Sequence, residues 1–300
     1  MVARLRAAGC VFAEEEARVL NGAARTRAEL DAMVARRAAG EPLEQVVGWA
    51  EFAGLRVLVD PGVFVPRRRS EFLVCVAVRL AGPAGGPVPR VVVDLCCGTG
   101  ALGLAVAVEL SEGELPQGEL PQGELPPGEL AGNGTDGRAS AGVWLRGVEL
   151  HAADLDPAAV ACARRNVEPP GGHVHAGDLF AALPGSLRGR AGVLICNAPY
   201  VPTTEIAFMP AEARDHEAPM ALDGGPDGLA VLRRAAAGAP GWLAPGGVLL
   251  VETSERQAAA MAAVMTAAGL TAEVHEDDES GATVVTGVSA RRAPAGASGR

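Results

Sequence analysis

Lysine is absent: every one of the 26 basic residues counted as Lys or Arg is an arginine, and against 36 acidic residues they leave a formal net charge of −10. A balance that acidic excludes a broad phosphate-binding surface and argues against nucleic acid as a direct partner. One short basic patch remains, Arg67-Arg68-Arg69. Aromatic residues are scarce at 3%, with a single tyrosine, so a core must be built mainly from Ala, Val and Leu. The six cysteines, Cys10, Cys75, Cys96, Cys97, Cys162 and Cys196, are scattered with no C-x-x-C pair and no metal-like spacing, and without a secretory signal they read as reduced, buried thiols. No apolar run reaches the ~20 residues needed to cross a bilayer. Glu14-Glu15-Glu16 stands where a secretory leader would need an apolar stretch, so a cytoplasmic protein without a membrane partner is expected.

What is present is half hydrophobic, at 49%, and long enough at 300 residues for one catalytic domain with a smaller appendage. Residues 1–45 have helical periodicity, with Leu5, Ala8, Phe12, Ala17, Leu20, Leu30, Met33 and Val34 as its apolar positions, and predict a small N-terminal helical domain. Residues 46–66, apolar and β-branched around Gly48 and Gly54, predict a hairpin linker. From 67 to 290 strands alternate with helices. Strands are expected at 90–95, 148–154, 173–176, 192–197, 247–252, 271–275 and 283–288, and helices at 101–110, 157–166, 228–237 and 257–268. That alternation predicts an α/β fold with a mostly parallel, doubly wound sheet. The last two strands are too close for a helical crossover and should pair as an antiparallel hairpin. Residues 111–142 begin with a Gly-Glu-Leu-Pro repeat, whose regular Pro and Gly forbid helix and strand and predict a disordered insertion; 291–300 reads as a loose tail.

Val91-Val92-Val93-Asp94-Leu95-Cys96-Cys97-Gly98-Thr99-Gly100 reads as a buried strand running into a Gly-rich turn that opens a helix. Gly98 and Gly100 permit a sharp turn and close approach to a ligand. Residues 98–103 also spell G-x-G-x-x-G, which by itself serves dinucleotides too. Asp94 ends the strand where it could orient the cationic amino end of S-adenosyl-L-methionine, and a charge there would oppose a pyrophosphate. Asp154, at the end of the second strand, is placed to accept ribose hydroxyls. Asp178, followed by Phe180, is placed to meet an adenine amino group. A nicotinamide dinucleotide would use the same ribose acid, so this loop leaves the enzyme class open.

Asn197-Ala198-Pro199-Tyr200 follows the fourth strand, at the end of a parallel sheet where ligands bind. An amide or aniline-like nitrogen is a poor nucleophile, because its lone pair is delocalised. The Asn197 side-chain carbonyl and the Ala198 main-chain carbonyl can hold its N–H groups in line with a methyl donor. Pro199 keeps Ala198 extended, and Tyr200 can stack on a planar acceptor. These four residues are the expected catalytic set, with Asn197 also touching the cofactor. His173 and His175 share a strand face, but no third ligand is visible and no metal is expected.

Together these motifs resemble the HemK/PrmC-like family of protein N5-glutamine methyltransferases, over roughly residues 35–290. Gly40-Glu41-Pro42-Leu43 with Gly48, Phe52 and Gly54-Leu55 is similar to its linker. Pro66-Arg67-Arg68-Arg69-Ser70-Glu71 resembles its Pro-Arg-Pro-x-Thr-Glu element. Asn197-Ala198-Pro199-Tyr200 corresponds to its Asn-Pro-Pro-Tyr motif, and Glu217 with residues 221–229 is similar to its next loop. The resemblance implies a Rossmann-like class I methyltransferase fold with a seven-stranded sheet and S-adenosyl-L-methionine as cofactor. It also implies a protein substrate, the Gly-Gly-Gln glutamine of a peptide-chain release factor. Near the active site it implies substrate-binding roles for Arg67, Glu71 and Glu217, and it places Cys96 in the cofactor loop. Cys96-Cys97 stands where the family usually has Gly and a small residue, Ala198 replaces a Pro, the second Pro of the Pro-Arg-Pro element is missing, and residues 277–283 lack an Arg usual before the last strand. Two other readings share the motif set: an adenine-N6 methyltransferase of nucleic acid, which would want a basic face, and a catalytically silent scaffold of the same fold. Nothing in the pattern specifies an oligomer.

Overall fold

A computed structural model describes residues 1–82, 88–111 and 145–291. The repeat of the 111–142 segment, past Ser111, and the tail beyond Arg291 lie outside the described residues.

Four short helices open the chain: α1 (Val2–Ala7), α2 (Ala13–Ala23), α3 (Arg27–Ala38) and α4 (Leu43–Val47). Thr26 caps α3 through its side chain on the Glu29 N–H at 3.1 Å. Leu5, Ala17, Leu20, Val34 and Val46 close a small core between these helices. Inside it Arg37 makes a forked contact with Glu16, at 2.7 and 3.1 Å, that satisfies two otherwise stranded charges. Val46 and Val47, which the apolar pattern puts in the linker, belong to α4, because Pro42 starts a helical turn and Gly48, at φ 85°, ends it. The hairpin follows as β1 (Trp49–Phe52) and β2 (Leu55–Leu58), antiparallel.

The α/β body begins with α5 (Glu71–Ala81), a helix the strand-and-turn pattern did not mark, because its run Phe72 to Val78 has no polar stripe. Then come β3 (Val91–Leu95), α6 (Ala101–Leu110), β4 (Glu149–Asp154), α7 (Pro157–Val167), β5 (His173–Ala176), β6 (Ala191–Cys196), α8 (Ala211–His216), α9 (Ala230–Gly238), β7 (Leu243–Thr253), α10 (Glu255–Ala267), β8 (Thr271–Asp277) and β9 (Ala282–Val288). Seven strands form one sheet in the order β5-β4-β3-β6-β7-β9-β8. All pairs from β5 to β7 are parallel, while β9 runs antiparallel to both β7 and β8. The sheet and its terminal hairpin are those the alternating pattern predicts.

Both faces of the sheet are covered, so its central strands are apolar without alternation: β3 and β6 are buried at every position. Val92, Val193, Ile195, Val248 and Leu250 face α5 and α6, whereas Val93, Leu194, Leu249 and Val251 face α9 and α10. The chain leaves β3 toward β4 and β5 and returns to the other side of β3 as β6. The carboxyl ends of β3 and β6 therefore flank the topological switch point, where an open α/β sheet leaves a crevice.

One buried amide joins the linker hairpin to this crevice. Asn166, in α7, accepts from the Leu58 N–H at 2.8 Å and donates to the carbonyls of Leu58 and Thr99 at 3.0 and 2.9 Å. It is fully buried, so truncation strands the Leu58 N–H and the Thr99 carbonyl in a dry place and leaves the Leu58 carbonyl to the weak Cys162 thiol donor. Asn166→Ala is expected to cost about 2–4 kcal/mol. In a chain of this size that is a fall of several degrees in Tm, which thermal unfolding would detect; a Tm within a degree of the parent would contradict the assignment.

Candidate active site

The crevice is a cavity of about 220 Å³. Its walls come from the turn after β3, the ends of β4 and β5, the segment after β6, and the stretch that precedes α5. Cys96, Cys97, Gly98 and Thr99 supply the first wall. Cys96 has φ 55°, a left-handed backbone that suits glycine, which accounts for the Gly usual at this place in the resembled family. The turn is held by Asp154: its two oxygens accept from the Gly98 and Asp156 N–H groups at 2.8 and 2.9 Å. Burial raises the Asp154 pKa above the ordinary carboxylate range, against the lowering effect of those N–H groups.

Asp94 does not reach this cavity. It is fully buried beneath the turn, and its Oδ2 accepts from the Gly103 N–H at 2.9 Å. A Cβ on Gly103 would lie 2.7 Å from the Asp94 Cβ, so only glycine lets the helix come this close to the strand. The Asp94 Oδ1 has no partner. Burial pushes the Asp94 pKa up to about 7. Gly100 likewise faces inward, packed against Val167, and starts α6 at φ 79°.

Asp178 lines the cavity beside Arg234, with which it pairs at 2.6 Å. Phe180 does not line it: the ring stacks on Trp242 with centroids 5.5 Å apart, because an apolar ring gains more against another ring than at a wet rim. Leu179, at φ 46°, takes its place on the wall.

Asn197, Ala198, Pro199 and Tyr200 line the opposite wall. Their backbone is held from behind by Gln257, whose amide donates to the Tyr200 carbonyl at 2.8 Å and the Asp227 carbonyl at 2.9 Å. Gly228, at φ 76°, lets the two loops touch, since a Cβ there would fall 2.2 Å from the Tyr200 carbonyl oxygen. The phenol is fixed too. The Tyr200 hydroxyl donates to Glu252 at 2.8 Å and accepts from Arg69 at 2.6 Å. Glu252, 2% exposed, also accepts from Arg69 Nε at 3.0 Å and Ser70 Oγ at 2.5 Å. Burial first, and the Glu252 charge next, push the Tyr200 pKa well up, so the phenol stays a donor.

Of the three residues the family resemblance assigns to substrate, only Arg67 lines the cavity. Glu217 is buried behind it and takes the Arg67 guanidinium on both oxygens, at 2.6 and 2.7 Å, and the Val65 N–H at 3.2 Å. Burial raises the Glu217 pKa and Arg67 partly offsets it. Glu71 lies away from the cavity and accepts from the Ala53 N–H at 3.0 Å, holding the β1–β2 turn. The sequence pattern assigns no site role to Arg69, Ser70, Glu252 or Gln257, which together fix the Tyr200 wall. Glu252 could have been noticed as an acid ending an apolar strand, as Asp94 and Asp154 do. Ser254 and Gln257 have the spacing of a capping box, which the structure shows. His151 joins His173 and His175, but its ring stacks on His173 at 4.9 Å, and parallel rings do not converge their lone pairs on one ion.

The donor set suits S-adenosyl-L-methionine. Three acids, Asp154, Asp156 and Asp178, line the half of the cavity near the Gly-rich turn, where a pyrophosphate would want N–H groups and cations. The Gly98 face is open, with no atom nearer than 4.0 Å to a Cβ built there.

No family model matches the chain. It is 34% identical to the release factor glutamine methyltransferase of Streptomyces coelicolor, over 82% of this chain and 78% of that protein. It is 34% identical to the release factor glutamine methyltransferase of Mycolicibacterium smegmatis, over 77% and 68% respectively. A 4-amino-L-phenylalanine/4-methylamino-L-phenylalanine methyltransferase of Streptomyces pristinaespiralis is 32% identical, over 79% and 69%.

The raised Asp94 pKa gives a stability signature. Between the unfolded carboxylate value near 4 and about 7, the unfolded chain gives up a proton that the folded chain keeps. Stability from this group is therefore full below about pH 4 and falls as pH rises toward about 7. Asp94→Asn keeps an acceptor for Gly103 and has no charge to bury. Its Tm relative to the parent should rise by several degrees between pH 4.5 and pH 8; a difference independent of pH would refute the buried acid.

Proposed function

The chain belongs to the release factor glutamine methyltransferase family, and from that premise we propose that it methylates the N5 nitrogen of a glutamine side chain in a peptide-chain release factor. The observation that carries the reading is that the Asn197–Tyr200 wall and the Gly-rich turn border one cavity at the switch point. S-adenosyl-L-methionine, when bound, supplies a methyl group on a positively charged sulfur. Cys96–Thr99, Asp154 and Asp178 are the residues that would hold it.

The rest is positioning. The amide nitrogen of glutamine is weakly nucleophilic, so its approach must be fixed along one line. Asn197 and the Ala198 carbonyl accept its two N–H groups. Pro199 has no N–H that could compete for those two carbonyls. Replacing the family's Pro by Ala198 leaves that carbonyl in place, with Ala198 itself buried. The Tyr200 ring, anchored through its hydroxyl, offers a flat face to a planar amide. Such positioning can lower a barrier by several kcal/mol, up to roughly 7–11. The amide proton is shed after transfer, when the nitrogen has become acidic, so no strong base is required.

The name of the Streptomyces pristinaespiralis relative describes transfer to an amino group on an aromatic ring, another nitrogen conjugated to a π system. The same wall would serve it, so the acceptor must be identified directly. Incubation with S-adenosyl-L-methionine and a release factor should add one methyl to the Gly-Gly-Gln glutamine by mass spectrometry, and 4-amino-L-phenylalanine should remain unmodified. Asn197→Ala should bind the cofactor as the parent does and lose at least about a hundredfold in kcat, the loss of one well-placed polar contact in the transition state. Undiminished turnover would remove Asn197 from its role.

A further inference from the structure

One end of the cavity carries a hydrogen-bond donor and an acceptor side by side. Asp178, just after β5, and Arg234, in α9, both line it, and Arg234 donates to Asp178 Oδ2 at 2.6 Å. Their side chains are 46% and 57% exposed, and a pair that wet stabilises the fold little. Its neighbours are used differently. Arg233 turns to Asp227 and does not line the cavity. Arg67 and Arg69 do line it, but they are committed to the buried carboxylates of Glu217 and Glu252. Arg234 is held only by a carboxylate that itself lies on the cavity wall.

The surroundings of the pair suit a flat heterocycle. Val231 lies one turn before Arg234 on the same face of α9 and lines the cavity with it. One turn further on, Gly238 makes room for the Phe180 ring: a Cβ there would fall 2.4 Å from its Cε2. With Phe180 drawn off against Trp242, this stretch of wall is left to Leu179, Val231 and Arg234. Across from β5 in the sheet, where Asp154 pairs with Ala176, Leu155 also lines the cavity and is 56% exposed, an apolar side chain left uncovered. Apolar walls around a few placed polar groups are what orient a small ligand.

We infer that Arg234 is a specificity residue for the cofactor: it donates an N–H to ring nitrogen N1 of the adenine, while Asp178 accepts from the adjacent exocyclic amino group. That edge of adenine presents one acceptor beside one donor. A guanidinium only donates and an ionised carboxylate only accepts, so the two side chains match it in one orientation. Asp178 takes one of the five guanidinium N–H groups, which leaves donors for the ring. A purine with oxygen in place of the amino group carries a proton on N1 and would set like against like at both positions. The inference rests on the reading of Asp178 as the residue that meets the adenine.

The test is calorimetric titration of the full chain with S-adenosyl-L-homocysteine and with its 1-deaza analogue, in which C–H replaces N1 and the amino group is kept. No methyl transfer is needed. The parent should bind the analogue about tenfold more weakly, the loss of one hydrogen bond to a charged donor. Arg234→Met and Arg234→Ala, which change an exposed position and remove every donor there, should bind the two ligands alike. Their affinity for both should be close to that of the parent for the analogue. A gap that persists in these variants, as it would if Arg234 only steadied Asp178, overturns the inference, and so does a parent that binds both ligands equally. The expected gap with no glutamine methylated keeps the Arg234 contact and fails the glutamine reading. A parent that does not bind S-adenosyl-L-homocysteine fails the cofactor site and this contact with it.

Discussion

A buried carboxylate that must be matched from several directions organises this protein. Glu252 stands at the end of β7 with almost no contact with water, and a charge in that position is tolerable only when each oxygen is satisfied. Arg69 and Ser70 reach it from the segment before α5, and Tyr200 from the segment after β6. These partners lie 183, 182 and 52 residues away along the chain. Satisfying one carboxylate therefore closes the crevice on two sides and sets the plane of the only tyrosine. Removing one partner from a buried pair of this kind typically costs about 3–5 kcal/mol, so the wall is rigid as well as placed.

The same economy recurs in the other half of the site. Asp154 holds the Gly-rich turn through the Gly98 N–H, Asp94 draws α6 onto β3 through Gly103, and Glu217 ties Arg67 and Val65 to the segment before α9. Each is an acid whose pKa burial raises. The stability these groups cost is met by the two apolar layers around the sheet, which leave β3 and β6 buried throughout. Strain is concentrated likewise: Cys96 and Leu179, two of the three non-glycine residues at positive φ among the described residues, both line the cavity.

The division of the cavity follows from topology. The turn after β3 and the segment after β6 are neighbours only because the chain reverses its strand order between them. That reversal leaves a gap in the helical layers, and two loops of different chemistry face each other across it. One is glycine-rich and ringed by acids, suited to a cationic cofactor. The other offers two fixed carbonyls and a flat ring, suited to a planar nitrogen.

The sequence by itself determined the sheet, the terminal hairpin and both loops. These depend on contiguous residues: an apolar strand, a Gly-rich turn, a helix cap or a Pro after an Asn acts within a few residues, and its signal survives in one dimension. It also carried the family, through motifs such as Asn197–Tyr200 that are read as strings. Only the tertiary structure decided which side chains meet. Phe180 beside an aspartate reads as a cofactor contact until Trp242, just before β7, stacks on its ring. Arg67 and Glu217 read as two substrate contacts, but the structure binds them to each other across 150 residues and leaves only Arg67 on the cavity wall. Arg69 read as part of a surface patch until it met Glu252. Whether a polar or aromatic side chain serves a ligand or the fold depends on the partner that desolvates it, and that partner is chosen by packing, which local sequence does not encode.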